Sequence, residues 1–312
     1  MSVLALDLGG TKLAVALISP NGEIMKRDSF ALGNRKGKEV GELITAQLQK
    51  FLTESNVKAI GISVPGISRQ QTGTVWAPNI PGWEDYPIMK VMTAVAGGCN
   101  VVMDSDRACC IVGEHWKGKA QGCKDAIFIA VGTGIGAGIM VDGKILRGAD
   151  DIAGAVGWLA LQKPFHDKYI ACGCFEYYAS GDGIARYAKE ILATENSYSG
   201  PLKVGRELTA QDVFLAYESN DVVATRVLNG CIELWGMAVA NFVSIFNPRK
   251  IIFGGGVFGP AAKFVARIRE EAVKWAQPVS ITRVTIETSA LNGNSAIYGA
   301  GFLAMESTSH SS

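Results

Sequence analysis

Two glycine-rich turns, more than a hundred residues apart, carry the residue types that bind phosphate. The first is Asp7-Leu8-Gly9-Gly10-Thr11-Lys12, placed between the apolar runs Val3–Leu6 and Leu13–Ile18. Gly9 and Gly10 let backbone N–H groups come close to an anion, and Thr11 adds a hydroxyl donor. Asp7 repels phosphate but can hold the Mg²⁺ that accompanies it. The same spacing also suits a tight hairpin with a solvated acid. The second turn, Gly132-Thr133-Gly134-Ile135-Gly136, follows the apolar run Ala126–Val131 and precedes Ile139-Met140-Val141. Strand, Gly-Thr turn, strand and a closing Asn-Gly or Asp-Gly turn thus occur twice. Repetition on this scale predicts two similar domains, each offering a phosphate-binding hairpin to a shared cleft.

Other stretches bear on the same chemistry. Val101-Val102-Met103 is a strand running into Asp104-Ser105-Asp106, with a helix expected from about Arg107. Acids at that end of a strand sit where ligands of α/β sheets bind. Two apart on extended chain, Asp104 and Asp106 would point the same way. One of them could cap the helix, which leaves the other unexplained. Gly254-Gly255-Gly256 closes another strand, as needed where an adenine and ribose lie against the backbone. Gly254, Gly256 and Gly259 also fit a dinucleotide fingerprint, but too little chain follows to build that domain. Gly138 to Lys144 lacks the Ser or Thr of a Walker loop, having Ile145 instead. Cys172 and Cys174 are two ligands where structural zinc takes four, and buried free thiols suit them better.

The elements that must position these residues alternate between strand and helix. Periodicity predicts a helix over Val40–Leu52, a strand over 59–64 ending at Pro65-Gly66, and a long ordered loop from Ser68 to Trp83. Further on, helices are expected over 182–192, capped by Ser180, over 210–218 from Thr209, and from Asp221 towards Phe246. A strand over 250–253, a helix over 260–276, a strand over 284–287 and a helix over 296–305 with a frayed tail complete the chain.

The 312 residues allow two domains with substantial cores. An apolar content of 48%, a charged content of 19% and a net charge of +1 give no basis for binding nucleic acid or an anionic membrane. No unbroken apolar run approaches the ~20 residues that span a bilayer. The chain enters a strand at once, which predicts neither a signal peptide nor an appended DNA-binding helix pair. Seven cysteines do not form a secreted disulfide framework, so a cytoplasmic protein is expected. A homodimer is left open.

Taken together, Asp7–Lys12, Ser105-Asp106, Gly132–Gly136, Gly173-Cys174-Phe175-Glu176 and Gly254–Val257 resemble, in order and spacing, the ROK family of bacterial sugar kinases within the actin-like ATPase superfamily. The resemblance runs from Leu4 to about Ala304. It implies an α/β fold of two ribonuclease-H-like domains with a central cleft. One domain would cover 1–115, rejoined by a C-terminal helix at 294–308, and the other 116–293. It implies ATP and Mg²⁺ as cofactors, with Asp106 accepting the proton of a sugar hydroxyl. Gly9, Gly10, Thr11 and Lys12 match the first phosphate loop, and Gly132, Thr133 and Gly134 the second. Gly254, Gly255, Gly256 and Val257 match the adenosine motif. Gly66 and Asn79 match positions lining the sugar, and Glu176 a glutamate that binds sugar hydroxyls.

Three departures qualify this. Ser105 replaces the family's usual Asn before the catalytic Asp. Ala155-Val156-Gly157-Trp158 replaces Glu-x-Gly-His, whose Glu and His contact the sugar and whose His shares in zinc. The cysteine-rich zinc loop is shortened to Cys172-Gly173-Cys174. No zinc site is therefore expected. A hydrogen bond to a charged group contributes roughly 1.5–3 kcal/mol, so loss of the Glu weakens a glucose-like ligand about tenfold to a hundredfold unless replaced. Trp158 could stack on a sugar ring or fill the space left by zinc. The expected activity is ATP-dependent phosphorylation of a hexose, sugar derivative or cyclitol. The competing readings are a non-catalytic sugar- or nucleotide-sensing protein and an actin-like ATPase needing no acceptor.

Overall fold

A computed structural model describes residues 2–309, which fall into two compact units. The first unit runs to Gly122, takes in Ile145–Ala153 and resumes at Ser289. Its strands are β1 (Ser2–Leu8), β2 (Lys12–Ile18), β3 (Ile24–Ala31), β4 (Val57–Val64), the short pair β5 (Ile67–Arg69) and β6 (Thr74–Trp76), and β7 (Asn100–Ser105). Helices α1 (Gly37–Glu54), α2 (Ile88–Thr93) and α3 (Asp106–Lys117) interleave with them. The main sheet has the order β3-β2-β1-β4-β7. Its first three strands are antiparallel, and β1, β4 and β7 are parallel.

Side-chain alternation along β1 feeds two cores at once. Leu4, Leu6 and Leu8 join a large-residue core with Ile44, Leu48 and Phe51 of α1. Val3 and Ala5 face the other way, into a core of small residues with Cys109 of α3. Asp7 continues that second series, so its carboxyl emerges on the α3 face.

The second unit repeats the plan. Its sheet is formed by β8 (Ala126–Val131), β9 (Ile135–Val141), β10 (Lys144–Ile145, where the chain leaves this unit), β11 (Lys250–Gly254) and β12 (Thr285–Thr288), ordered β10-β9-β8-β11-β12. Again β8 and β9 are antiparallel, while β8, β11 and β12 are parallel. Helices α4 (Cys174–Ala179), α5 (Gly181–Thr194), α6 (Ala210–Glu218), α7 (Val222–Phe246), α8 (Val265–Trp275) and α9 (Pro278–Ile281) complete it. The predicted caps form: Ser180 accepts from the N–H of Gly183, Thr209 from Asp212 and Asp221 from Ala224. Among the described residues, α7 is the one helix long and apolar enough to cross a membrane, despite having no unbroken apolar run of that length. It is instead the central helix of this unit's core. Trp235 is fully buried, and its indole N–H donates to the Ala179 carbonyl.

The last described element is α10 (Ser295–Ser309), which rejoins the first unit. Glycines let it approach closely: a Cβ at Gly61 would collide with the Ala300 carbonyl, and one at Gly113 with that of Ser295. Both sheets have the mixed order of a ribonuclease-H-like domain.

Several expectations shift. Ile145–Ala153 belongs to the first compact unit, whereas the expected bounds placed it in the second. The expected loop from Ser68 to Trp83 is partly the β5–β6 ladder. Its tip is held by Trp83, which is buried, stacks on Tyr86 and donates to the Gly37 carbonyl. The helix over 260–276 opens as a 3-10 turn at Pro260–Phe264 before α8. The expected fraying after Met305 is replaced by helix to Ser309, and the remainder of that tail lies outside the described residues.

Candidate active site

In the first unit, three adjacent parallel strands bring their polar ends into line. Asp7 pairs in register with Ser63, and Ser63 with Asp104. The Ser63 hydroxyl donates to Asp7 Oδ1 at 2.9 Å. Burial raises the Asp7 carboxyl above its ordinary value, against the Ser63 hydrogen bond and the charge of Lys12. Gly9 donates to the Lys12 carbonyl at 2.9 Å, closing a turn whose Gly10, Thr11 and Lys12 are exposed.

Asp106 opens α3, and Ser105 rather than either aspartate caps it, its hydroxyl accepting from the Ala108 N–H. Ser105 itself is buried. Asp106 Oδ1 accepts from the Arg107 N–H at 2.8 Å. Burial pushes its carboxyl up to about 6, opposed by the Arg107 charge and N–H and reinforced by the negative charge of Asp7. Asp104 is held differently. It is buried at the end of β7, bound to Arg147 Nη2 at 2.5 Å, and takes the Ser105 N–H at 2.8 Å. The expectation that both aspartates act in one direction is corrected by that ion pair and by the change from strand to helix at Asp106.

Gly66 and Asn79 lie in the same unit. Gly66 has φ +78°, and a Cβ there would strike the Trp76 carbonyl; its own carbonyl accepts from Arg107 Nη2 at 3.0 Å. Asn79 is exposed, its Cβ about 3.3 Å from where a Gly10 Cβ would stand. One sugar-lining candidate, Asn79, therefore meets the first phosphate loop.

In the second unit, Gly132 and exposed Thr133 edge a cavity of about 800 Å³, with Asp182, Arg186, Lys189 and Thr209 on its walls. Gly256 and Val257 also line it, and line a neighbouring, more apolar cavity of about 460 Å³ beside Phe214 and Pro260. Gly254 and Gly255 serve the backbone behind: a Cβ on Gly254 would enter the Phe128 ring, and one on Gly255, at φ +88°, the Val131 carbonyl. Arg186 and Lys189 were missed because a Lys or Arg on a helix reads as solvated surface until the cavity is seen.

Gly134 and Gly157 make room for Glu176, whose carboxylate would contact a Cβ on either. Glu176 Oε2 accepts from the Ile135 N–H at 2.6 Å, and burial raises its carboxyl against that bond. Trp158 ends a 3-10 turn (Val156–Trp158) and is 56% exposed, so it fills no interior gap.

Asp7 and Asp106 offer hard oxygen donors, and the charge of Asp7 helps raise Asp106, which suits a divalent cation completed by phosphate oxygens. Zinc does not fit: Cys172 is partly exposed and Cys174 buried, and no three His, Cys, Asp or Glu side chains converge among the described residues.

The model of the ROK family matches residues 3–307. The chain belongs to the ROK family. A glucokinase of Halalkalibacterium halodurans is 30% identical to it, over 96% of this chain and 94% of that one. A beta-glucoside kinase of Listeria monocytogenes is 26% identical over 96% of each. The ROK glucokinase of Streptomyces griseus, solved with glucose and AMPPNP, superposes with a TM-score of 0.80 at 27% identity, covering 98% of this chain and all of that one. This ROK member accordingly has the actin-like ATPase fold of two ribonuclease-H-like domains.

Proposed function

We propose that this ATP-dependent sugar kinase transfers the γ-phosphoryl group to a hydroxyl of a hexose, sugar derivative or cyclitol, with Asp106 as general base. One observation carries the reading: a carboxyl raised to about 6 opens α3 beside a second carboxyl, Asp7. Such a group is ionised at neutral pH yet basic enough to take a proton. As the acceptor oxygen attacks the γ-phosphorus, its proton passes to Asp106 and the β–γ bridging oxygen leaves with ADP. Mg²⁺, when bound through Asp7, neutralises charge on the phosphates. Thr11 and the turn at Gly9–Lys12 in the first unit, and the turn at Gly132–Gly134 in the second, each offer donors suited to phosphate oxygens. The cavity at Gly256 and Val257 takes the nucleoside.

Acceptor choice follows from the departures. Glu176 Oε2 is engaged by Ile135, leaving Oε1 to accept from a sugar hydroxyl. Ala155 offers no carboxylate, and Trp158 presents an exposed apolar face. Plain glucose is then a poor acceptor beside one less polar or differently substituted at that edge, phosphorylated on an exocyclic primary hydroxyl against Trp158. The chain acts in the cytoplasm on a small molecule, not on nucleic acid or membrane.

The test is ATP turnover across glucose, fructose, mannose, their N-acetylated forms and cyclitols, with Ala155→Glu and Trp158→His made together. The expected result is acceptor-dependent turnover, with glucose kcat/KM rising about tenfold in the double variant. Turnover without any acceptor would favour an ATPase, and binding without turnover a sensing protein. A wild type that already prefers glucose, with no gain in the double variant, would overturn the pocket argument alone.

A further inference from the structure

The segment that delivers Glu176 is held by an ammonium group. Lys168, in the 3-10 turn Asp167–Tyr169, places Nζ 2.9 and 3.0 Å from the two carboxylate oxygens of Glu190 on α5. The same Nζ lies 5.8, 5.0 and 5.0 Å from the ring centroids of Tyr169, Tyr177 and Tyr178. Tyr177 donates its hydroxyl to Glu190 at 2.7 Å. Cations over aromatic faces are attracted by the ring quadrupole, more strongly when partly desolvated. One charge therefore ties together the turn, α4 and α5.

Backbone bonds carry the tie to Glu176. Gly173 N–H donates to the Tyr169 carbonyl at 2.8 Å, and Tyr177 N–H to the Gly173 carbonyl at 3.0 Å. Tyr177 directly follows Glu176, so drawing its hydroxyl to Glu190 fixes the rotation of the six-residue helix α4 about its axis. That rotation decides whether Glu176 Oε2 meets the Ile135 N–H and where Oε1 is left pointing. A helix so short has little stability of its own. The turn before α4 thus carries a cation of its own.

We propose that Lys168 is a positioning residue for acceptor binding, setting Glu176 through the Glu190 carboxylate and the three tyrosine rings. The proposal rests on the reading of Glu176 as an acceptor contact. Its test uses the full chain with ATP and Mg²⁺, and glucose and fructose as probes. Lys168→Met keeps the volume and removes the charge; it should raise acceptor KM about tenfold, with kcat and ATP KM within about twofold. Lys168→Arg should recover most of that loss, and Glu190→Gln should shift KM the same way by less. Glu176→Gln should raise acceptor KM at least as far, and adding Lys168→Met to it should change nothing more. Chelation followed by restored Mg²⁺ should leave acceptor KM unchanged. An unaltered KM in Lys168→Met, or additive losses in the double variant, would overturn the proposal while the role of Glu176 stands. So would a KM that rises on chelation and recovers with zinc. An unaltered KM in Glu176→Gln would instead remove the acceptor reading of Glu176, and the proposal with it.

Discussion

The two units share a strand order yet end their strands in opposite chemistry. In the first, Asp7, Ser63 and Asp104 are the next-to-last residues of β1, β4 and β7, and Asp106 follows. In the second, β8 and β11 finish against Gly132–Gly134 and Gly254–Gly256. The acids proposed to hold a cation and accept a proton stand at the end of one sheet and at the start of the helix that follows it. On the other, glycines leave the backbone open, at Gly134 to the Glu176 carboxylate and, as proposed, at Gly256 to a nucleotide. A duplicated scaffold has thus been divided by side-chain size, since a carboxylate and a close backbone approach cannot occupy one strand end together. If the division is functional, substitutions in the first unit should change rates and metal dependence, and those in the second should change affinities.

Asp106→Asn tests the first half with the largest expected effect. General-base assistance is worth about 10²–10⁴ in rate, so kcat should fall by that factor while ATP affinity, measured by calorimetry, hardly moves. Asp104→Asn should cost much less rate, because Asp104 is engaged by Arg147. A larger rate loss there than at Asp106 would break the assignment. Asp7→Asn follows in size. It should raise the Mg²⁺ concentration for half-maximal turnover about tenfold or more, a titration that also asks whether the charge of Asp7, rather than its Ser63 bond, matters.

The second half is tested at adjacent glycines. Gly255→Ala puts a Cβ into the Val131 carbonyl at positive φ and should lower Tm. Gly256 has no atom within 4 Å of an added Cβ, so Gly256→Val should fold normally and raise ATP KM about tenfold. Equal effects on Tm and KM at both would mean that the strand end is merely structural.

This division was largely legible in the sequence. Apolar runs stopping at Asp7, Asp104, Gly132 and Gly254 mark strand ends, because such runs leave few other conformations. What escaped depends on contacts between distant segments. β3 is a polar edge strand, exposed at five of its eight residues, so periodicity gives it no signal. The membership of Ile145–Ala153 in the first unit follows from Arg147 meeting Asp104 and Asp151 meeting Gln70. The node at Lys168 joins residues 168, 177 and 190, whose spacing matches no local period. Trp158 shows the limit from the other side. Its departure from the family pattern was plain, but whether it was buried or exposed was not.

The smallest expected effect concerns stability and turns on the sign of the Asp106 shift. Its carboxyl is raised from an ordinary 3.8 to about 6 by burial, so the fold disfavours the ionised form. That penalty is complete above about pH 6, shrinks as the pH falls through 6 and is gone below about 3.8, where folded and unfolded chains are both protonated. Asp106→Asn removes the charge and keeps an oxygen for the Arg107 N–H. Without nucleotide or Mg²⁺, the variant should melt about 1–3 °C above wild type at pH 8, with the gap closing by pH 4. Turnover moves oppositely: wild-type kcat/KM should drop about tenfold per pH unit below 6, as the base is lost. With Mg²⁺ present the penalty is answered by the cation, and the difference in Tm at pH 8 should vanish or reverse. A variant less stable than wild type at pH 8 in the absence of metal would mean that Asp106 is held by favourable contacts. The acidic sheet would then be a structural feature, not a site kept charged at a cost in stability.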